Sequence, residues 1–373
     1  MVVLLRCKDL DTDSRALKYV DFYRRKGIDY KIVSWDRLNQ SSFDENTINF
    51  NYKSSYNQGG WNAVKDRLKW MRFVVKSLRR ISSNRQVVIH ACDLDTAFPA
   101  VIFKMLFSRR SKVIFDVFDW YSATLANQNK VIRAAFALME RISVKYSDHI
   151  IICEEERIEQ IPYEIKDGSL SVLPNIPSFE TGDFLVEKDE YRFDNEKLTL
   201  SYVGGLYNQR CLDELIDIAE EGRINLLIAG FGDKRLEERL NLLDKPNVKY
   251  FGRVRYDVGQ TIMFNADVIY AMYSKENPNH FYAAPNKYYE TMFLGKAIIS
   301  TAGINMEKKI RDNAIGYSCE EDKDSIVKLI ESISRDDLKK MGENAAKLWK
   351  EEFSTFTEDY LNSTYIGLIS DNS

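Results

Sequence analysis

The chain has 373 residues, 45% hydrophobic and 29% charged, which is enough apolar material for a large core and enough length for two ordinary domains. Its longest apolar runs, such as AVIF at 100–103 and HIIIC at 149–153, fall far short of the roughly 20 residues of a membrane span. Five scattered cysteines and three histidines point to a reducing compartment, expected to be the cytoplasm, and away from a structural zinc.

The opening MVVLL runs at once into Arg6, Lys8 and three aspartates, which reads as a first strand and not as a secretory signal. Short apolar, β-branched runs then alternate with helical patterns: a helix from about Ser14, YKIVSW, VVIH at 87–90 followed by a helix, KVIFDVF and DHIIIC. The rhythm resumes at LTLSYV (198–203), INLLIAG (224–230), VKYFG, DVIYAMY and KAIIS. Such alternation predicts two parallel, doubly wound α/β sheets. The polar, aperiodic stretch at 181–197 reads as a linker between domains at 1–180 and 198–352, and 353–373 as a C-terminal helix expected to cross back to the first domain. Tandem open sheets are expected to face a central crevice, so the loops after strands are where ligands are sought.

Charge is divided unequally. Residues 1–180 hold 28 Lys and Arg against 22 Asp and Glu, while residues 181–373 hold 25 against 34. The first half is therefore expected to meet an anionic partner. Its most basic stretch, WNAVKDRLKWMRFVVKSLRR at 61–80, has seven cations and one acid among Trp61, Trp70, Met71, Phe73 and Val74. It reads either as a membrane-surface helix, supported by FKMLFSRRSK at 103–112, or as a surface helix whose apolar stripe packs on the sheet. No nucleic-acid-binding module accompanies it.

Three stretches of the second half carry chemistry. In YAAPNKYYETMFLGKAIIST (282–301), Pro285 suits the first helical position and the N–H groups of Asn286 and Lys287 would form a phosphate-binding helix N-terminus. Lys287 and Glu290 share a face with Asn286, so anion and sugar hydroxyls can be met together, unless the two simply form a solvated pair. In VGGLYNQRCLDEL, Gly204 and Gly205 follow a strand and Arg210 precedes a helix, where an arginine holds phosphate oxygens bidentately. IAGFGDKRL repeats the device with Gly230 and Gly232.

Taken together, VGGLYNQR, LLIAGFGD, NVKYFGRV, DVIYAMY and APNKYYETMFLGKAIIS resemble, in order and spacing, the donor half of retaining GT-B glycosyltransferases, the superfamily of glycogen synthases and polysaccharide mannosyl- and glucosyltransferases. SRALKYVDFYRRKGIDYKIVSW, VVIHACDLDTAFPA and SVLPNI extend the likeness over nearly the whole chain, and the Pro-x-Lys form of 285–287 resembles a subgroup of surface polysaccharide synthesis. The resemblance implies a UDP- or GDP-sugar donor, no other cofactor and no metal. It also implies a glycan or polyprenyl-linked acceptor, and peripheral attachment to the inner face of the cytoplasmic membrane.

By position, it assigns the donor diphosphate to Arg210 and Lys287, the ribose to Glu290 and the nucleobase slot to Arg253 and Val254. Gly205 stands where the family usually has an arginine, and Tyr282 where many members have a first glutamate. In the N-terminal half, His90 and Asp93 are candidates for catalysis, His90 equally for a buried or capping role, and Arg15, Asp116 and Asp119 for acceptor binding. Asp93 and Asp95 also spell the D-x-D metal motif of another glycosyltransferase fold. The alternative reading is a non-catalytic sugar-nucleotide or glycan binding subunit.

Overall fold

The computed structural model describes residues 1–373 except 9, 11–12, 38–44, 55–59, 84, 125–128, 178–184, 283–284 and 371–373. The chain divides into two compact units, Met1–Ser178 together with Thr357–Ser373, and Phe179–Phe356.

Among the described residues the first unit is built on seven parallel strands: β1 (Val2–Arg6), β2 (Tyr30–Ser34), β3 (Thr47–Asn49), β4 (Val88–Cys92), β5 (Lys112–Val117), β6 (His149–Ile152) and β7 (Leu170–Val172), in the order β3-β2-β1-β4-β5-β6-β7. Val2 to Arg6 pair in step with Tyr30 to Ser34 on one side and Val88 to Cys92 on the other, so the order reverses between β1 and β4. Strands covered on both faces need continuous apolar runs, which is what β1 and β4 supply. Helix α1 (Ser14–Lys26) starts at the cap Asp13, whose carboxylate accepts from Ala16 N, and stops at Gly27 in the left-handed conformation. Helices α2 (Gly60–Ile81), α3 (Leu94–Phe107), the short α4 (Tyr121–Thr124) and α5 (Lys130–Tyr146) follow, with α3 packed between α2 and α5.

The apolar stripe of α2 packs on the sheet. Trp70, Val74 and Leu78 are fully buried in one cluster with Trp35, Ile89, Phe103 and Phe115. This settles the choice that the basic stretch left open: its aromatic face belongs to the core and its cations face outward.

The described residues of the second unit form six parallel strands, β8 (Thr199–Val203), β9 (Asn225–Ala229), β10 (Val248–Tyr250), β11 (Val268–Ala271), β12 (Ala297–Thr301) and β13 (Gly316–Cys319), ordered β10-β9-β8-β11-β12-β13 with reversal between β8 and β11. Its helices are α6 (Leu212–Glu220), α7 (Lys234–Leu242), α8 (Tyr256–Phe264), α9 (Pro278–Phe281), α10 (Asn286–Leu294), α11 (Asn305–Asp312), α12 (Lys323–Ser332) and α13 (Arg335–Leu348). Leu200, Leu226, Ile228, Tyr270 and Ile299 from the strands meet Leu212, Leu215 and Ile326 from the helices in a single apolar cluster.

After α13 the chain runs through α14 (Phe356–Tyr360) and α15 (Ile366–Ser370), and Tyr365 between them packs in the first unit against Tyr19, Phe22 and Tyr23. No described helix is long and apolar enough to cross a membrane. The fold is α/β, two parallel sheets each wound with helices.

Candidate functional site

In open parallel sheets, ligands sit at the carboxyl ends of the strands where strand order reverses. In the second unit those ends belong to β8 and β11. After β8 the chain turns at Gly204, whose N–H donates to Ala229 O at 3.0 Å, and at Gly205, whose carbonyl accepts from the Tyr202 hydroxyl at 2.5 Å. The loop after β9 lies against this turn so closely that a Cβ at Gly230 would stand 1.8 Å from Gly204 O, and at Gly232 2.6 Å from Leu206 O. Both glycines have positive φ, 149° and 157°. Their first duty is thus to let two loops touch, which brings both loops to one spot.

Arg210 stands at the end of this turn, just before α6. Its guanidinium lies 4.1 Å from the ring centroid of Tyr273, the residue that follows β11 by two. Its Nη1 is buried with no hydrogen-bond partner, and no described carboxylate pairs with it. Such a cation, held by a ring face and bonded to no acid, keeps its donors for an incoming anion.

The backbone around Arg210 is fixed from several directions. Gln209 O accepts from Ser274 N at 3.0 Å, and Gln209 Oε1 accepts from Asn277 Nδ2 at 3.3 Å. Cys211 sits in the left-handed conformation, and its carbonyl accepts from the Tyr270 hydroxyl at 3.0 Å. The same loop carries His280, whose ring contacts Ser274 O at 3.0 Å and Asn277 Nδ2 at 3.3 Å. Burial and the nearby Arg210 charge push His280 down to about 4, so it is neutral at ordinary pH.

Helix α10 enters the same region. Pro285 is its cap, one residue earlier than the pattern suggested, with extended backbone (φ −73°, ψ 138°), and the helix begins at Asn286. Glu290 is 1% exposed: one carboxylate oxygen accepts from Lys287 Nζ at 2.5 Å and the other from the Tyr256 hydroxyl at 3.0 Å. The solvated Lys and Glu pair allowed by the spacing is therefore a buried one. The Tyr256 phenol is pushed up by burial and by the Glu290 charge. Tyr273 responds to both ends of the site: burial and Glu290 raise its phenol while Arg210 opposes them. Beside them Arg253 stacks 4.7 Å from the Phe231 ring centroid, with Phe231 half exposed, and Val254 packs towards Gly259 and Ile262.

Sequence reasoning had not singled out Tyr256, Tyr273, His280 or Phe231. Only Tyr273, two residues past a strand, carried a positional signal; the others reach the site through contacts between distant segments. A separate cleft of about 480 Å³, lined by Asp267, Lys296, Arg335 and Lys339, opens at the opposite, amino ends of β11 and β12. It is remote from this chemistry.

At the carboxyl ends of the first unit's strands, charges are joined into a closed network. Arg6 binds Asp13 at 2.6 Å and also Asp93, and the Phe118 ring lies 4.3 Å from its guanidinium. Asp93 has φ 69° and accepts from the backbone N–H groups of Phe118 and Asp119. Burial pushes its carboxyl up to about 6, with Arg6 opposing.

Two expectations for this unit require correction, Arg15 and Asp116 as acceptor-binding residues, and the choice left open for His90 falls to its buried role. Arg15 is buried and spends its donors on Asp116 (2.7 and 3.2 Å), Leu173 O and Asn175. Asp116, fully buried, also accepts from the Tyr19 hydroxyl at 2.9 Å. His90, fully buried, contacts the Tyr365 hydroxyl through Nδ1 at 2.6 Å and Asp116 through Nε2 at 3.3 Å. Enclosed and bonded to one another, these three groups are given to holding the fold together. Burial raises the Asp116 carboxyl, but Arg15 and His90 outweigh it and hold the group below the usual carboxylate range.

His90, Cys92 and Asp116 have donor atoms within 4.8 Å of one another, as a metal site would. The arginine on Asp116 and the committed ring nitrogens make them a hydrogen-bond network instead. Asp119 alone of the acceptor candidates is exposed, beside Arg157 at 3.4 Å.

Two Rossmann-like units, the second with an unpaired arginine, a helix N-terminus and a buried Lys–Glu pair at its switch point, define the GT-B class. Residues 183–348, most of the second unit, match the family model described as glycosyl transferases group 1. Among solved structures the chain is similar to sucrose-phosphate synthase from Thermosynechococcus elongatus (12% identity, TM-score 0.73, 99% of both chains covered). It is also similar to Anabaena HepE in complex with UDP and glucose (11%, 0.67, 98% and 99% covered) and to WaaG, a glycosyltransferase involved in lipopolysaccharide biosynthesis (15%, 0.65, 96% and 98%). Likeness at these identities speaks for the fold. No curated protein matches the chain in sequence.

Proposed function

We propose that this protein transfers a sugar from a nucleotide-sugar donor, a UDP- or GDP-sugar, to a glycan or polyprenyl-linked acceptor, with retention of configuration, in surface polysaccharide or glycolipid assembly. The observation that carries the proposal is Arg210: a guanidinium stacked on Tyr273 and bonded to no carboxylate, in the second unit's switch-point loops. As the sugar's bond to the diphosphate breaks, negative charge grows on the departing oxygens. Arg210, Lys287 and the first N–H groups of α10 meet that charge, and electrostatic stabilisation is the main catalytic term. The acceptor oxygen enters on the face the diphosphate leaves, and its proton passes to the leaving phosphate oxygen. Glu290, held by Tyr256 and Lys287, turns its remaining lone pairs to the ribose hydroxyls. The bound UDP and glucose of the HepE structure and the involvement of WaaG in lipopolysaccharide biosynthesis support the donor and acceptor classes.

With diphosphate charge met by protein groups, the reaction needs no metal and activity survives EDTA. The purified full chain, incubated with UDP-, GDP- and ADP-sugars and lipid or glycan acceptors, is expected to release the nucleoside diphosphate and form product. A donor at 100 times its Kd raises folding stability by about 2.7 kcal/mol. Donor binding without product would instead favour a non-catalytic sugar-nucleotide binding subunit. The enclosure of His90, Arg15 and Asp116 is the observation on that side.

A further inference from the structure

Among the described residues, those that hold Arg210 carry no charge, and one side chain stands behind them. The first support is the Tyr273 ring, whose centroid lies 4.1 Å from the guanidinium. Tyr273 is itself fixed at two points. Its N–H donates to Thr301 Oγ1 at the end of β12, at 2.9 Å, and its ring meets the His280 ring edge-to-face, 5.6 Å between centroids and 81° between planes. The second support is the Gln209 carbonyl, one residue before Arg210, which accepts from Ser274 N at 3.0 Å. The carbonyl of the same Ser274 bonds His280 Nδ1 at 3.0 Å. Both routes to Arg210 therefore lead back to His280.

The two ring nitrogens of His280 have opposite roles. A carbonyl can only accept, so Nδ1 carries the proton and donates to Ser274 O. An amide nitrogen can only donate, so Nε2 is bare and accepts from Asn277 Nδ2 at 3.3 Å. The orientation of the Asn277 amide is fixed independently, because its Oδ1 accepts from Asn279 N and caps α9. Its Nδ2 also donates to Gln209 Oε1 at 3.3 Å, a further tie to the residue beside Arg210. Only a neutral imidazole offers one donor and one acceptor on a rigid ring here. An imidazolium would turn a proton against the Asn277 amide and set a second cation near Arg210. Burial and the Arg210 charge keep the ring neutral, with the Ser274 bond and Glu321 opposing.

We infer that His280 is a positioning residue: with both ring nitrogens given to the protein, it acts through Tyr273 and Ser274 to fix the Arg210 guanidinium where the leaving diphosphate gathers charge. Its role rests on the sugar-transfer reading, which puts the diphosphate at Arg210. A guanidinium held in advance needs no reorganisation as charge develops, so its placement bears on kcat more than on donor KM.

The test is a double-mutant cycle on the full chain, read by donor kinetics and by calorimetric binding of UDP and GDP without acceptor. His280→Ala is expected to lower kcat on the order of tenfold or more, while donor KM changes less than about threefold. The free nucleoside diphosphate carries the charge of the departed group and should bind on the order of fivefold more weakly. In the Arg210→Ala background the same change should cost less than about twofold in either measurement, because the group it positions is gone. His280→Asn, whose amide N–H can stand where Nδ1–H does, should recover much of the loss. In the ligand-free protein, ring-nitrogen NMR should show His280 neutral with Nδ1 protonated, identified by the signals that His280→Ala removes. A single cooperative melting transition confirms that each variant is folded. Wild-type kcat and nucleotide binding in His280→Ala, losses of equal size with and without Arg210, or a ring protonated at Nε2 overturn the proposal while Arg210 keeps its role. Nucleoside diphosphate binding that Arg210→Ala leaves unchanged, or none by the wild type, overturns the sugar-transfer reading of Arg210 and the role of His280 with it.

Discussion

The Glu290 carboxylate offers the sharpest perturbation, because it is 1% exposed and each of its oxygens has a named donor. Glu290→Gln keeps the shape and one acceptor oxygen but removes the counter-charge from Lys287, whose side chain is 15% exposed. Breaking a fully buried pair from one side costs about 3–5 kcal/mol. The partial access of Lys287 to water reduces that to roughly 2–3 kcal/mol. For a unit of this size each kcal/mol moves the midpoint by about 2–4 °C, so a fall of roughly 4–12 °C is expected. Tyr256→Phe removes one hydrogen bond to a charged group, about 1.5 kcal/mol and roughly 3–6 °C. Adding Lys287→Met to Glu290→Gln removes the stranded ammonium and is expected to restore part of the loss. The assay is thermal unfolding of the full chain without ligand, followed by donor kinetics, in which Glu290→Gln should chiefly raise donor KM. A Glu290→Gln protein that melts with the wild type, together with a double variant no better than the single, would refute the buried-pair argument.

Two further predictions follow from other unpartnered cations. Arg210→Ala should lower kcat on the order of a hundredfold or more, by analogy with loss of one transition-state hydrogen-bond donor, while the melting temperature changes little because no ion pair is lost; full activity would place the leaving group elsewhere. Lys18, buried with no hydrogen-bond partner for Nζ among the described residues, is pushed down by burial and by Arg15 to about 7. The unfolded chain holds that proton up to about 10.4, so the folded state is penalised in full below pH 7 and is relieved as pH rises towards 10. Lys18→Met should therefore stabilise on the order of 2–4 kcal/mol at pH 6 and progressively less up to pH 10, and a gain independent of pH in melts would rule the argument out.

Much of the fold was legible because parallel strands buried on both faces must be written as apolar runs, and helices between them as 3.6-residue patterns. VVLLR, VIHAC, TLSYV and AIIST are such runs. Chemistry within one turn of a helix was legible for the same reason: Lys287 and Glu290 share a face because they are three apart. What remained hidden depends on segments far apart in sequence. Tyr256 meets Glu290 across 34 residues, and Tyr365 meets His90 across 275. No local pattern distinguishes a histidine whose nitrogens are both taken from one that faces substrate. The basic stretch at 61–80 shows the same limit: periodicity revealed its two faces and only packing told which was covered.

The packing of Tyr365 against Tyr23 and His90 has a consequence for synthesis. The first unit finishes its core with residues that leave the ribosome after the whole second unit. At about 5–20 residues per second, the pocket around Tyr19, Tyr23 and His90 stands open for roughly 10–40 s after Ser178 has been joined. The second unit, continuous in the chain, is free to fold during that interval, so the unit begun first is closed last. A nascent chain in that interval shows the translation machinery and its chaperones an aromatic cavity that the mature protein never exposes.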